Sequence, residues 1–202
     1  MKKILFFIRH GQTDYNMMGI IQGRGVNTEL NENGIEQAKQ FYLKYKEENF
    51  DLILTSTLKR SKQSVKFFIE SGIPALAMKE LDEMHLGNWE GKEAKGTIRA
   101  EWGHIMSEWK KGNDQLPVPG GESPYELSLR QKAFLHIIEK RNEKKILICT
   151  HGRALRNMMC LISGLPSKHM DEFPHENFCT YLVESEKGKY RILERNILLS
   201  KN

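Results

Sequence analysis

The segment KILFFIRHG, residues 3–11, decides the fold class. Its residues ILFFI form an uninterrupted apolar run, and an arginine, a histidine and a glycine follow at once. Such a run is typical of a strand buried on both faces of a parallel sheet. The segment KILICTHG, residues 145–152, repeats the pattern of an apolar strand that ends before a histidine and a glycine. We therefore predict two buried strands of one sheet, each with polar residues at its carboxyl end.

Strand-like and helix-like segments alternate along the rest of the chain. The predicted strands are 3–8, 51–55, 75–78, 145–149, 180–184 and 190–194. The predicted helical faces are formed by Ile35, Ala38, Tyr42 and Tyr45, by Leu58, Val65, Phe68 and Ile69, and by Leu155, Met158, Met159 and Ile162. This alternation predicts an α/β fold, specifically a three-layer α/β/α sandwich with a mostly parallel central sheet.

Residues 92–121 interrupt the alternation. Apolar residues recur there at helical spacing, from Ile98 through Trp102 to Trp109, which predicts an amphipathic helix. The segment SPYE, residues 123–126, then has the pattern of a capping box that opens the next helix. We predict one domain over 1–202, with 92–121 as a helical lid at the carboxyl ends of the strands. A fully packed helix pair is the alternative.

Length and charge restrict the function classes. A chain of 202 residues buries about 70% of its surface on folding, enough for a core without disulfides or metal. Its 31 lysines and arginines against 26 aspartates and glutamates give a net charge of +5. The basic residues are not concentrated in one segment, so we expect no nucleic-acid partner. A small acidic substrate accounts equally well for the net positive charge.

No segment has the pattern of a targeting or membrane sequence. The first apolar run is only five residues long and ends at Arg9, which is too short for a signal peptide or a spanning helix. The three cysteines, Cys149, Cys160 and Cys179, are widely spaced and form no CxxC motif. We expect a reduced, cytoplasmic protein without a membrane partner.

The two predicted strand ends define a candidate site. Open α/β sheets bind ligands beyond the carboxyl ends of their strands, which places Arg9, His10 and His151 together. A helix predicted directly after Gly152 adds free N–H groups suited to an anion. Phosphoryl transfer to an imidazole fits this cationic pocket. Metal binding is the weaker alternative because the chain has no HxH or HExxH motif, and a structural role for each histidine also stays open.

Several motifs in order resemble the histidine phosphatase superfamily, in its phosphoglycerate-mutase-like branch. The matching segments are Arg9 to Thr13 with Asn16, Gln22-Gly23, Leu30 to Gly34, Ser56 to Arg60, Leu81 to Gly91, Gly120 to Ser123 and Thr150 to Gly152. The resemblance as a whole covers about residues 3–183, and these motifs follow one another in the order typical of the family. The motif Arg-His-Gly-x-Thr resembles the motif of the mutase-like branch rather than that of the acid phosphatases and phytases.

The resemblance implies catalytic roles for three residues. His10 would be the nucleophile that forms a phosphohistidine, and His151 would lie across the phosphoryl group and stabilise its charge. Glu83 would protonate the leaving oxygen and later deprotonate the incoming water. No metal is implied.

The resemblance also implies a phosphate-binding set and a substrate pocket. The phosphate would be held by Arg9, Asn16, Arg60 and His151. The pocket residues are Gln22, Gly23, Arg24 and His85. Many relatives have arginine where Ile20 stands in this chain, so Arg24 is a candidate substitute.

Hydrolases and mutases of this family share the same catalytic residues. The segment GNWEG, residues 87–91, and the short insertion 92–121 resemble the phosphatase-type members. We therefore expect a metal-independent phosphomonoester hydrolase that needs no cofactor and acts on a small phosphorylated metabolite. The resemblance also implies a homodimer. The alternative is a phosphoglycerate mutase, which would use 2,3-bisphosphoglycerate as cofactor. A non-catalytic phospho-ligand-binding protein is a third reading.

Overall fold

The structure is a computed structural model that describes residues 1–199, so the last three residues of the predicted domain 1–202 lie outside it. One central sheet contains strands from both ends of this described part. The strands are β1 (Lys2–Arg9), β2 (Leu52–Thr55), β3 (Ala75–Ala77), β4 (Lys145–Thr150), β5 (Thr180–Glu186) and β6 (Lys189–Ile197). Their order in the sheet is β3-β2-β4-β1-β5-β6.

Four neighbouring strands of this sheet are parallel. β3 pairs with β2, β2 with β4, and β4 with β1 in parallel register, while β5 is antiparallel to β1 and β6 to β5. Arg9 is opposite Thr150 in the central pair. The same register brings the next residues, His10 and His151, side by side beyond the strand ends. The N–H of His10 donates to the carbonyl of Thr150 at 3.0 Å.

Helices cover both faces of the sheet. They are α1 (Asp14–Met18), α2 (Glu32–Tyr45), α3 (Lys59–Ser64), α4 (Lys66–Glu70), α5 (Gly96–Lys110), α6 (Pro124–Lys140) and α7 (Gly152–Ile162). Short 3-10 segments lie at Lys46–Glu48, Lys79–Leu81, Gly87–Trp89 and Ser167–Glu172.

Each face of the sheet has its own apolar core, because successive side chains of a strand point to opposite faces. Phe6 and Ile8 of β1 pack with Phe41 of α2 and Phe68 of α4. The alternate residues of β1 pack on the other face with residues of α5, α6 and α7. The α/β fold and its mostly parallel central sheet, flanked by helices, are therefore as predicted.

Two predicted helical faces are wrong in detail. Ile35 is 48% exposed, because α2 turns Gly34, Ala38 and Phe41 towards the sheet instead. Ile69 is also exposed, since the helical pattern predicted over 58–69 is broken at Val65, between α3 and α4. The break changes which side of α4 meets the core.

The interrupting segment forms the predicted amphipathic helix. Ile105 and Trp109 of α5 are buried in the core, and the ring of Trp102 lies 5.3 Å from that of Trp89. The predicted capping box at Ser123 is confirmed, with Ser123 and Glu126 each bonding the other's backbone N–H. The role of 92–121 as a lid stays a prediction. In the described part of the chain, no helix is long and apolar enough to cross a bilayer.

Candidate active site

His10 and His151 form the centre of the site. Their ring centroids lie 5.0 Å apart, and both side chains are almost wholly removed from solvent. The parallel register of β1 and β4 is responsible, since each histidine follows the last residue of its strand. Two imidazoles thus share one enclosed space at the carboxyl edge of the sheet, where the sequence predicted a site.

The ring of His10 has one bound and one free nitrogen. Its Nδ1 lies 2.7 Å from the carbonyl oxygen of Gly11, and a carbonyl accepts only from a protonated nitrogen, so Nδ1 carries the hydrogen. Burial and the charges of Arg60 and Arg9 hold the pKa of His10 well below 6.5. The ring is therefore neutral at physiological pH, with Nε2 unprotonated and able to act as a nucleophile.

Arg60 is fully buried beside the second histidine. Its Nε donates to Nδ1 of His151 at 3.2 Å, and its terminal nitrogens donate to the carbonyls of Val26 at 2.6 Å and Gly23 at 3.3 Å. Nε2 of His151 bonds the hydroxyl of Ser56 at 2.7 Å. Burial lowers the pKa of Arg60 to about 10, so the guanidinium keeps its charge at neutral pH.

Burial and Arg60 hold the pKa of His151 well below 6.5. Because Nδ1 of this ring accepts from Arg60, its single hydrogen lies on Nε2 and is donated to Ser56. His151 is thus a neutral ring that donates to Ser56.

Arg9 is anchored at one end only. Its Nη1 donates to the carbonyl of His175 at 2.6 Å, whereas its buried Nε has no hydrogen-bond partner among the described residues. Burial lowers the pKa of Arg9. A methyl group added at Gly152 would lie 3.6 Å from this Nε and 3.7 Å from Oε2 of Glu83. The guanidinium of Arg9 and the carboxylate of Glu83 therefore border the same space.

The carboxylate of Glu83 is fixed by backbone N–H groups. Oε1 accepts from Met84 at 2.9 Å and from Ala154 at 2.8 Å, and Oε2 accepts from Arg153 at 3.1 Å. Two of these donors belong to the first turn of α7, whose N-cap residue His151 makes no side-chain cap. The helix that follows the second histidine thus positions the predicted acid.

Asn16 is connected to the backbone of His10 through another asparagine. Asn177 donates from Nδ2 to the carbonyl of His10 at 2.9 Å and to Oδ1 of Asn16 at 3.3 Å. Asn16 also completes the capping box of α1 with Thr13. The predicted phosphate-binding residue therefore lies beside the backbone of His10.

The four predicted pocket residues lie on loops around this centre. Gln22 donates to the hydroxyl of Thr13 at 2.8 Å, and the carbonyl of Gly23 accepts from Arg60. Arg24 is half exposed, with Nη1 3.8 Å from Glu122, and Nε2 of His85 lies 3.9 Å from Glu90. Their contact with a substrate stays a prediction.

Three residues of the site were absent from the predicted set. Ser56 bonds His151, the carbonyl of His175 bonds Arg9, and Asn177 bonds the backbone of His10. Ser56 lies in a segment that the resemblance had matched, four residues before Arg60. His175 and Asn177 lie just before β5, which pairs with β1, and only the strand order reveals that proximity.

The fold and the site together define the class of protein to which the chain belongs. The mostly parallel sheet carries two neutral histidines, the buried Arg60 and the partly buried Arg9 near the carboxyl ends of its parallel strands. A carboxylate lies beside them, and this arrangement is suited to phosphoryl transfer. The sequence profile of the histidine phosphatase superfamily (branch 1) matches residues 5–198. The chain belongs to this superfamily.

Relatives of the chain include both phosphatases and mutases. It is 27% identical over 182 residues to the adenosylcobalamin/alpha-ribazole phosphatase of Escherichia coli K12, covering 89% of each chain. It is 29% identical to a 2,3-bisphosphoglycerate-dependent phosphoglycerate mutase of Methylorubrum extorquens PA1, covering 83% of this chain and 82% of the mutase. The alpha-ribazole phosphatase of Shigella flexneri has a similar structure, with a TM-score of 0.83, 27% identity and 96% of each chain covered.

Proposed function

We propose that the protein is a metal-independent phosphomonoester hydrolase that acts through a phosphohistidine on His10. The observation that carries this proposal is the neutral ring of His10, whose Nδ1 is bound to Gly11 while Nε2 is free. The positive charges of Arg60 and Arg9 act on this ring and help to hold its pKa well below 6.5. Membership of the histidine phosphatase superfamily supports the same chemistry.

In the first half of the reaction, Nε2 of His10 attacks phosphorus and the ester P–O bond breaks. The carboxylate of Glu83 receives the acidic proton of the monoanionic phosphate ester and transfers it to the leaving oxygen, so an alcohol departs. Arg60 and the free Nε of Arg9 neutralise charge on the phosphoryl oxygens. His151 stabilises the same oxygens when its Nε2–H turns from Ser56 to the phosphoryl group.

In the second half, water replaces the alcohol. Glu83 takes a proton from the water as its oxygen bonds to phosphorus and the N–P bond breaks. Inorganic phosphate leaves and His10 is regenerated. The carboxylate is suited to both halves because the N–H groups of Met84, Arg153 and Ala154 fix it beside Arg9.

Charge neutralisation by two arginines, rather than by a metal, is part of this proposal. Within residues 1–199, no group of three or more histidine, cysteine or carboxylate side chains is arranged to bind a metal ion. We infer that a small phosphorylated metabolite is the substrate, because His10, His151 and Arg60 are almost wholly removed from solvent. The named phosphatase relatives support hydrolysis.

A phosphoglycerate mutase is the second candidate. It is favoured by the mutase relative at 29% identity and by the shared catalytic residues. A mutase would transfer the phosphoryl group from His10 to a phosphorylated acceptor instead of to water, with 2,3-bisphosphoglycerate as cofactor.

Phosphorus NMR of the purified protein separates the two activities. The sample receives 3-phosphoglycerate with catalytic 2,3-bisphosphoglycerate, and parallel samples receive p-nitrophenyl phosphate or alkyl phosphates, all without added metal. We expect inorganic phosphate from the monoesters and no 2-phosphoglycerate. Fast formation of 2-phosphoglycerate without release of phosphate would establish the mutase instead.

The His10→Ala variant tests the intermediate. We expect it to lose turnover and phosphoenzyme labelling, with a fall in rate of at least about 1,000-fold, because the nucleophile is absent. His136→Ala, at an exposed position on α6, is the control. Substantial activity in His10→Ala would remove His10 as the nucleophile.

A further inference from the structure

Glu83 lies on a segment that regular secondary structure does not support. Residues 82–86 connect the 3-10 segments Lys79–Leu81 and Gly87–Trp89 and belong to no helix or strand. A catalytic acid needs an accurate position, since a displacement of about 1 Å can cost about 100-fold in rate. The N–H groups of α7 hold the carboxylate of Glu83, so its backbone requires a separate support.

Arg130 of α6 supplies contacts to that backbone. Its Nη2 donates to the carbonyl of Glu83 at 3.0 Å, and its Nη1 donates to the carbonyl of Glu80 at 2.9 Å. The side chain of Arg130 is only 16% exposed. One guanidinium therefore holds two carbonyls on the amino-terminal side of the segment.

Glu122 completes the arrangement on the other side. Its carboxylate accepts from Nε of Arg130 at 2.9 Å and from Nη2 at 3.2 Å. Glu122 also accepts from the N–H of His85 at 3.1 Å and donates its own N–H to the carbonyl of His85 at 2.8 Å. The pair of Arg130 and the buried Glu122 thus bonds the backbone before, at and after the proposed catalytic acid.

We propose that Arg130, paired with Glu122, is a positioning residue that holds Glu83 in place for proton transfer to the leaving group. This inference rests on the proposed function. The planar fork of an arginine bonds two carbonyls and a carboxylate at once, whereas a lysine offers a single ammonium group. Arg130 donates its hydrogen bonds to Glu122 and to backbone carbonyls of residues 79–83, and not to His10, His151 or Arg9. Its charge is also the last of the causes that lower the pKa of His151, and the Arg130→Lys variant keeps that charge.

The test compares kcat/KM for a good leaving group, p-nitrophenyl phosphate, with that for a poor one, glycerol 3-phosphate. This constant reports steps up to phosphoenzyme formation, in which only the alkyl ester needs a proton from Glu83. We expect Arg130→Met to lower kcat/KM for glycerol 3-phosphate by about 30-fold or more and that for p-nitrophenyl phosphate by less than about 3-fold.

A double-variant cycle separates positioning from general structural damage. In the Glu83→Gln background the acid is already absent, so Arg130→Met should cause no further loss on glycerol 3-phosphate. Equal losses on both esters, or an undiminished effect in that background, would overturn the inference. If neither ester is hydrolysed by the unmodified protein, the proposed function fails instead.

Two further variants keep the test interpretable. Arg141→Met removes another arginine that pairs with a glutamate, Glu143, but lies at the end of α6 away from the site, and it should leave both constants unchanged. If Arg130→Met does not fold, Arg130→Lys keeps a charge opposite Glu122 while losing the fork. We expect Arg130→Lys to show the same selective loss of kcat/KM on the alkyl ester. If Arg130→Lys and the unmodified protein had equal kcat/KM for that ester, the inference would be overturned.

Discussion

At the scale of single residues, the tautomer of His10 decides the chemistry. A neutral imidazole can attack only through the nitrogen that lacks a hydrogen. The bond from Nδ1 to the carbonyl of Gly11 fixes that nitrogen as Nε2, and burial with two arginines disfavours a second proton by holding the pKa well below 6.5. The proposed nucleophile therefore has its unprotonated nitrogen before a substrate binds.

Nitrogen NMR on protein labelled at histidine tests this state. We expect the His10 ring to show a protonated Nδ1 and an unprotonated Nε2, with no change between pH 5.5 and 8. The physical reason is that protonation would place a cation beside Arg9 and Arg60 in a buried site. The His10→Asn variant identifies the signal. A midpoint near the ordinary histidine value would contradict the assignment.

The residues that carry the chemistry could be predicted from sequence because each follows a recognisable local pattern. Arg9 and His10 end one apolar strand and His151 ends another, so parallel pairing alone brings them together. Asn177 and His175 could not be found this way, because their approach depends on β5 pairing antiparallel to β1. The residues around His175 and Asn177 do not indicate the order of the strands in the sheet.

At the scale of elements, α7 and Glu83 stabilise each other. The helix lacks a side-chain cap from its own N-cap residue, His151. The carboxylate of Glu83 accepts from the N–H groups of Arg153 and Ala154 instead, a charged acceptor at the positive end of the helix dipole. The predicted catalytic acid is thus also the cap of the helix that follows His151.

Removal of this cap should destabilise the fold. We expect Glu83→Ala to lower the free energy of unfolding by about 2 kcal/mol, because buried N–H groups lose a charged acceptor. Glu83→Gln keeps an acceptor oxygen and should lose less. Urea unfolding measures both, with Glu36→Ala on the exposed side of α2 as control. A fully stable Glu83→Ala protein would show that the cap contributes nothing.

The helices and strands were predicted most accurately where a single sequence pattern indicates the structure. The strands and the capping box of α6 follow from apolar runs and from a short polar motif. The buried face of α2 was predicted wrongly because Ile35 is more apolar than Gly34. The packing depends instead on the close approach of α2 to the backbone of Gln12. A side chain at Gly34 would meet the backbone of Gln12, so only glycine lets α2 lie against the loop that follows His10.

At the scale of the whole molecule, the site concentrates buried groups that resist protonation. Burial and neighbouring arginines hold the pKa values of His10 and His151 well below 6.5, and burial with Arg156, Arg9 and Arg153 lowers that of His175 to about 3. In the unfolded chain these rings have ordinary values near 6.5. The folded and unfolded states therefore bind different numbers of protons in weakly acidic solution.

The sign of the effect follows from proton linkage. Below about pH 6.5 the unfolded chain takes up protons that the folded protein does not, so the free energy of unfolding falls as the pH falls. Each such imidazole contributes about 1.4 kcal/mol per pH unit between its unfolded and folded pKa values. Above pH 7.5 the rings are neutral in both states, and this contribution to the pH dependence disappears.

Urea unfolding between pH 7.5 and 5 measures the effect. We expect stability to decrease steadily below pH 6.5, and His10→Asn to reduce that slope by about 1.4 kcal/mol per pH unit, since one proton difference is removed. His136→Asn, whose side chain is 65% exposed, gives the comparison for replacing a histidine outside the site. An unchanged slope in His10→Asn would mean that the ring already takes up a proton in the folded protein. His10 would then meet its substrate as a cation at mildly acidic pH, and a nucleophilic role would require it to lose that proton first.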